Sequence, residues 1–180
     1  MAAFVQGPLV RIIPVGMVLL ALQRTIFVEL EVNDVILQVM VAFAAAAGAA
    51  GGSERGAVVG FVLGIMYDLA EGTPLGSSAV ALTVAGVVGG LLALITADPQ
   101  WWLAMIFTAL GAAAGELMVP VVRLFIGETD PFDPRLRQIV PIVAIGAAVM
   151  SPLLVPLARW CLRMRTPEWK VPPAGEGSAA

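Results

Sequence analysis

Six apolar stretches, each close to the length that crosses a bilayer as a helix, leave this chain few folds to choose from. Roughly 20 mostly apolar residues span the hydrocarbon core, or about 17–25 with tilt. The segments 9–28, 34–51, 55–69, 76–96, 101–126 and 136–162 meet or approach that length. Of the 180 residues, 59% are hydrophobic and 13% charged, whereas soluble domains average roughly 45–50% and about 25%. A water-soluble domain of this length has too little interior for so much apolar surface. The expected fold is an all-α membrane protein, a bundle of about six transmembrane helices in one domain over residues 1–165. The remaining 166–180, which end in a Pro-, Gly-, Ala- and Ser-rich stretch, are expected to form a disordered cytoplasmic tail.

Two segments are ambiguous. Arg11, Pro14 and Arg24 interrupt the first. No basic residue precedes Arg11 and no small-residue cleavage site follows, so the segment reads as a retained helix rather than a signal peptide. Gly51-Gly52 separates the third segment poorly from the second, which leaves a re-entrant hairpin as the rival topology there.

Orientation follows from Lys and Arg near the helix ends. With the N-terminus inside, Arg11, Arg55, Arg159, Arg163, Arg165 and Lys170 are cytoplasmic, against Arg24, Arg123, Arg135 and Arg137 outside. Both termini then face the cytoplasm. Arg159–Lys170 also carries Trp160 and Trp169, a combination suited to anchoring at an anionic lipid surface. The loops with Glu29, Glu31, Glu128, Asp130 and Asp133 face outside.

Composition also removes whole classes of chemistry. The chain has no histidine, which excludes Ser-His, Cys-His and His-ligated metal mechanisms. Its single cysteine, Cys161, excludes an intrachain disulfide. There is no phosphate-binding Gly-x-x-x-x-Gly-Lys-Ser/Thr run, and Ser77-Ser78 has no histidine to act as base. Asp68 is the one aspartate clearly inside a span, whereas an intramembrane aspartyl protease needs two. No cofactor is implied. A net charge of −3 without a long basic run gives no footprint for nucleic acid. The expectation is a protein that is not an enzyme. A channel or secondary transporter would rest on Arg24, Asp68 and Glu116 alone, with no inverted repeat to support it.

Gly56, Gly60 and Gly64 recur at intervals of four in the third segment, continued by Asp68 and Gly72. Residues four apart share a helix face, so the segment presents a smooth groove ending in a carboxylate. Lipid supplies no hydrophobic drive between helices, and small residues let backbones approach. The groove either packs within the bundle or receives a partner's helix. Gly86/Gly90 and Gly111/Gly115 repeat the spacing, and Ala42, Ala46 and Ala50 form a similar row. Pro120 and Pro141 lie inside spans, where membrane helices tolerate kinks.

An ionisable side chain inside a span costs at least about 2.5–3.5 kcal/mol and is seldom left unpaired. At about 1.5 Å rise per residue, Arg24, Asp68 and Glu116 fall at comparable depth toward the outer side. They are expected to form an intramembrane polar layer in which Arg24 neutralises Asp68 or Glu116, unless each simply snorkels to the outer interface. After Asp68 the turn Leu69-Ala70-Glu71-Gly72-Thr73-Pro74-Leu75-Gly76 breaks the helix. Gly72 can end it, Pro74 fixes an extended entry, and Gly76 permits a tight backbone before the next helix.

The stretch GFVLGIMYDLAEGTPLG, residues 60–76, entering the apolar helix ALTVAGVVGG, resembles the signature region of MreD, the rod shape-determining membrane protein of bacteria. Chain length, small loops and a basic C-terminal end with Arg-Trp are also similar to that family. The resemblance implies a scaffold or regulator of lateral wall synthesis in the bacterial cytoplasmic membrane. Its partners would be MreC, the RodA and penicillin-binding protein 2 synthase pair, and the MreB filament, with a second copy of the chain as a further candidate. It also implies a fold like the substrate-binding subunits of energy-coupling-factor vitamin transporters. Such a subunit is the alternative function, but those proteins usually carry an alanine row spaced by four on the first helix. Here that helix offers only Gly16 and Ala21. MreC's single membrane helix is expected to dock on Gly56, Gly60 and Gly64.

Overall fold

A computed structural model describes residues 9–27, 38–96, 100–127 and 135–162. Among them there are six helical rods and no strand. Helix α1 runs Leu9–Leu22 and continues as a π-helical turn, Gln23–Phe27. Helix α2 is Val39–Gly51, α3 is Ser53–Glu71, and α4 is Ser77–Gly90 with a short continuation, Leu92–Ile95. Helix α5 is Trp101–Ile126 and α6 is Leu136–Leu162. The expected tail and the acidic loops that hold Glu29, Glu31, Glu128, Asp130 and Asp133 lie outside the described residues.

Three rods, α4 with its continuation, α5 and α6, are long and apolar enough to cross a membrane. The other three fall short for different reasons. The regular α-helix of α1 has 14 residues. Helix α2 is apolar throughout but has 13 residues, about 20 Å of helix. Helix α3 has 19 residues, enough for a span, yet carries Glu54, Arg55, Asp68 and Glu71.

The short helix is the centre of the molecule. Every residue of α2 from Val39 to Ala49 is buried, and α2 touches α3, α4, α5 and α6. Its sequence, VMVAFAAAAGAAG, has no polar face because it has no exposed face. A helix surrounded on all sides reads as apolar all round, and its alanines let four neighbours approach closely. Phe43 is the large side chain that fills the space this leaves, with no exposure.

Gly52 alone joins α2 to α3. Its φ of 86° lies where a side chain is strained and glycine is not, so the chain reverses within one residue. The reversal brings Gly48 against Gly56, where an added Cβ would meet the Gly48 Cα. The Gly51-Gly52 boundary is therefore a real joint between two helices packed side by side.

The glycine groove of α3 is filled by the molecule itself. A Cβ at Gly56 would collide with the Gly86 carbonyl, one at Gly60 with the Leu82 carbonyl, and one at Gly64 with the Ala79 backbone. All three glycines are buried against α4. The expectation that MreC docks there is corrected: α4 already occupies that face, backbone to backbone, and leaves no room for a second helix. Leucine at Gly60 would strike at the bundle rather than at a partner. By contrast α1 packs peripherally, through Gly16 against Leu63 and Met66 of α3. It leaves Val10, Met17 and Val18 exposed.

Candidate functional site

A cluster of polar groups lies where α3 finishes and α4 starts, with Arg123 of α5 close by. Helix α3 ends at Gly72, whose left-handed backbone sends its N–H to the Asp68 carbonyl at 3.0 Å, an αL stop. The chain then turns through Pro74, whose carbonyl accepts from the Ser77 N–H at 3.1 Å. Gly76, with φ 101°, delivers it into α4.

Asp68 organises this turn. Its Oδ1 accepts from the Thr73 hydroxyl at 2.8 Å, the Ser77 hydroxyl at 3.1 Å and the Ser78 N–H at 3.0 Å. Its Oδ2 accepts from the Gly76 N–H at 2.8 Å. The first turn of a helix has N–H groups with no partner inside the helix, and a carboxylate there both accepts from them and meets the positive end of the dipole. Asp68 thus caps α4 from the last turn of α3. Four donors, three on Oδ1 and one on Oδ2, leave neither oxygen without a partner, which accounts for its 1% exposure without any cation.

Arg24 is engaged elsewhere. Its guanidinium lies 2.7 Å from Glu71 Oε1 and donates to the Ala70 carbonyl at 2.8 Å. It therefore sits on the C-terminal turn of α3, where a cation complements the helix dipole. The expected pairing of Arg24 with Asp68 or Glu116 is corrected accordingly. The turn supplies all that Asp68 needs, and Glu71 is the carboxylate within reach. The three residues nevertheless share one neighbourhood, since Tyr67 interacts electrostatically with Arg24, Asp68, Glu71 and Glu116 alike.

Glu116 behaves differently. It lies on α5 with 4% exposure, and its Oε1 is the one buried side-chain oxygen or nitrogen without a hydrogen-bond partner among the described residues. It sits inside a continuous helix, whose own backbone N–H groups are committed to that helix.

Between α2, α3, α4 and α5 is a cavity of about 310 Å³, which Glu116 does not line. Its polar wall comes from Tyr67, Glu71, Thr73, Ser77 and Arg123, and its apolar wall includes Val119, Val122 and Ile126. Pro74 also lines it, so the turn that Asp68 holds is part of its rim. Leu75 is exposed and does not line it.

Residues that sequence reasoning passed over do much of the positioning. Gln23, buried in the π-helical turn, accepts from the Met40 N–H at 3.1 Å and so caps α2 from α1. Thr73, Ser77 and Ser78 complete the Asp68 cap. A hydroxyl cluster five to ten residues after an aspartate, across a Gly-Pro-Gly turn, is the signal that marks them. Gln23 has no comparable signal.

A second, larger groove of about 470 Å³ lies on the outside between α5 and α6. Ala109, Ala113, Ala144 and Ala148 form its floor and Trp101, Trp102 and Leu110 its edges. Among the described residues, no group of three or more Cys, Asp or Glu side chains is arranged to hold a metal ion. No protein-family model, curated protein or solved structure matches the chain.

Proposed function

We propose that this protein is a non-enzymatic membrane scaffold of the MreD kind. It would seat the single membrane helix of MreC beside the RodA and penicillin-binding protein 2 synthase, in a bacterial cytoplasmic membrane with both termini inside. The finer architecture belongs to the same reading: all six rods embedded in the bilayer, in an arrangement like the substrate-binding subunits of energy-coupling-factor transporters.

One observation supports the scaffold reading above the others, the alanine-floored groove between α5 and α6. Both helices contribute small residues four apart, Ala109/Ala113 and Ala144/Ala148, the pattern that lets a third helix pack close in lipid. Unlike the glycine seam of α3, this row has no helix against it among the described residues. Large apolar residues beside it, Ile106, Leu110 and Ile145, are exposed and extend the contact.

Replacing Ala113 and Ala148 together by leucine fills the groove without touching the buried seam. The expected outcome is normal insertion, an unchanged unfolding temperature in detergent, and loss of copurification with MreC. Full copurification would remove the groove as the docking face. Loss of the protein from its rod-shaped host is expected to round the cells. A vitamin requirement in cells of normal shape would instead favour the transporter subunit.

A further inference from the structure

All three tryptophans among the described residues stand at one end of the bundle. Trp101 and Trp102 open α5, and Trp160 lies in the last turn of α6. The same end holds the start of α1, since Arg11 reaches Trp160, and the start of α3, since Arg55 and Leu162 meet at Gly51. Helix α5 starts there too, because it runs antiparallel to α4, with Gly111 against Gly89 and Gly115 against Ala81, and α4 runs antiparallel to α3. All three indoles are exposed. Tryptophan gathers where headgroups meet hydrocarbon, so this end stands at headgroup level.

Three cations from three helices surround the end of α6. On one flank the Arg11 guanidinium lies 5.2 Å from the centroid of the Trp160 ring and donates to the Trp160 carbonyl at 3.2 Å. It thereby satisfies one of the open carbonyls at a helix C-terminus and holds the indole in place. On another flank the Arg55 Cδ and the Leu162 Cδ1 both lie against Gly51, 3.3 and 2.6 Å from where a Cβ would stand. Arg159, one turn before Leu162, is exposed, as is Arg55. Neither has an ion pair among the described residues. The one carboxylate on these turns among the described residues is Glu54, so positive charge is in excess.

An apolar track leads away from these cations. Val149, Pro152, Leu153 and Pro156 are exposed, and at about 100° per residue they share one side of α6 with Arg159 and Trp160 at its head. From Trp160 back to Val149 the track is about 16 Å long, the depth of one leaflet of a hydrocarbon core roughly 30 Å thick.

We propose that this end binds an anionic phospholipid, with its phosphate held by Arg55 and Arg159, its glycerol beside Trp160, and an acyl chain along Val149, Leu153 and Pro156. The planar guanidinium fork matches phosphate oxygens. A free phosphate ion would use the cations and leave the track bare, whereas a lipid uses both. A choline or ethanolamine headgroup brings a cation of its own and gains less from the excess positive charge. The sequence alone assigned such a role to residues 159–170; the structure brings Arg11 and Arg55 to the same place. The proposal goes beyond the scaffold reading, because the site is separate from the α5–α6 groove and either can fail alone.

The test uses the full chain with Trp101, Trp102 and Trp169 replaced by phenylalanine, so that Trp160 alone reports. In nanodiscs its fluorescence is quenched by phosphatidylglycerol or by phosphatidylcholine, each carrying the same brominated acyl chains. Phosphatidylglycerol is expected to associate about tenfold more strongly than phosphatidylcholine. Arg55→Gln and Arg159→Gln, both at exposed positions, are each expected to lower that preference about fivefold, the weight of one basic residue at an anionic surface. An excess of inorganic phosphate at constant ionic strength is expected to leave the preference intact. Replacing Arg163, Arg165 and Lys170 together by glutamine is expected to keep most of it. Equal quenching by the two lipids would overturn the proposal, as would a preference untouched by Arg55→Gln and Arg159→Gln in one chain. Full competition by inorganic phosphate would overturn the assignment to a lipid, and loss of the preference only in the 163/165/170 variant would move the site off the bundle.

Discussion

Asp68 and Glu116 are two carboxylates buried to almost the same extent in the same neighbourhood, and the chain treats them in opposite ways. Asp68 stands where a helix has just ended and another is about to begin, so backbone N–H groups and hydroxyls of Thr73, Ser77 and Ser78 converge on it. Glu116 stands ten residues before the end of α5, where every backbone N–H is committed to its own helix, and one of its oxygens has no partner. The difference teaches that a buried charge in this bundle is satisfied by a break in the helix, not by a cation on a neighbouring rod. A carboxylate at a helix junction is held by the junction's own donors, whereas the mid-helix Glu116 keeps one oxygen without a partner.

Removing the junction carboxylate has the largest effect. Asp68→Ala strands the Gly76 and Ser78 N–H groups and removes the cap of α4, at a cost of about 2–4 kcal/mol. Thermal unfolding in detergent checks the total, and faster hydrogen exchange at the Gly76 and Ser78 amides localises it. Asn at position 68 keeps one good acceptor and is expected to retain about half of that stability. If alanine is tolerated with unchanged exchange, the cap is not what stabilises the turn.

At Glu116 the sign reverses. Glu116→Met removes a desolvated carboxylate and fills a similar volume, so stability is expected to hold or to rise by up to about 2 kcal/mol. A loss beyond about 1 kcal/mol in the same unfolding assay would mean that Glu116 has a structural partner, and the contrast with Asp68 would collapse.

How much of this was legible in the sequence varies with how local the cause is. The bounds of α5 and α6 coincide with the apolar runs 101–126 and 136–162, because hydropathy alone delimits a long helix flanked by polar residues. The ends of α3 were read too short, at 55 and 69. Ser53, Glu54 and Glu71 are polar yet helical, held by the Gly52 and Gly72 stops. The four-residue glycine spacing declared a close approach but not with what. The same spacing occurs on α4 and α5, and only the tertiary arrangement pairs Gly60 with Leu82. Arg24, Asp68 and Glu116 all act on Tyr67, but an argument from charge and depth alone does not reach the pairing, since it overlooks the neutral donors in the turn. The cavity was invisible, because its walls are drawn from positions between Gln38 and Ile126 that no short-range pattern connects. The π-helical turn at Gln23–Phe27 likewise leaves no mark in composition.

Arg24 and Glu71 give the smallest and most discriminating effect. The pair is near the surface, with side chains 49% and 34% exposed, so its ionic part is worth no more than about 1 kcal/mol. Arg24→Ala loses that part and the bond to the Ala70 carbonyl. A double-mutant cycle with Glu71→Ala isolates the first from the second. The exchange Arg24→Glu with Glu71→Arg restores the ion pair but not the cap, because a carboxylate cannot donate to Ala70 and opposes the negative end of α3. Partial recovery is therefore expected. The exchange Arg24→Glu with Asp68→Arg should recover nothing, since it places a cation among the four donors of the α4 cap. Recovery in that second exchange, and none in the first, would restore the Arg24–Asp68 layer and show that the junction is held by charge pairing after all.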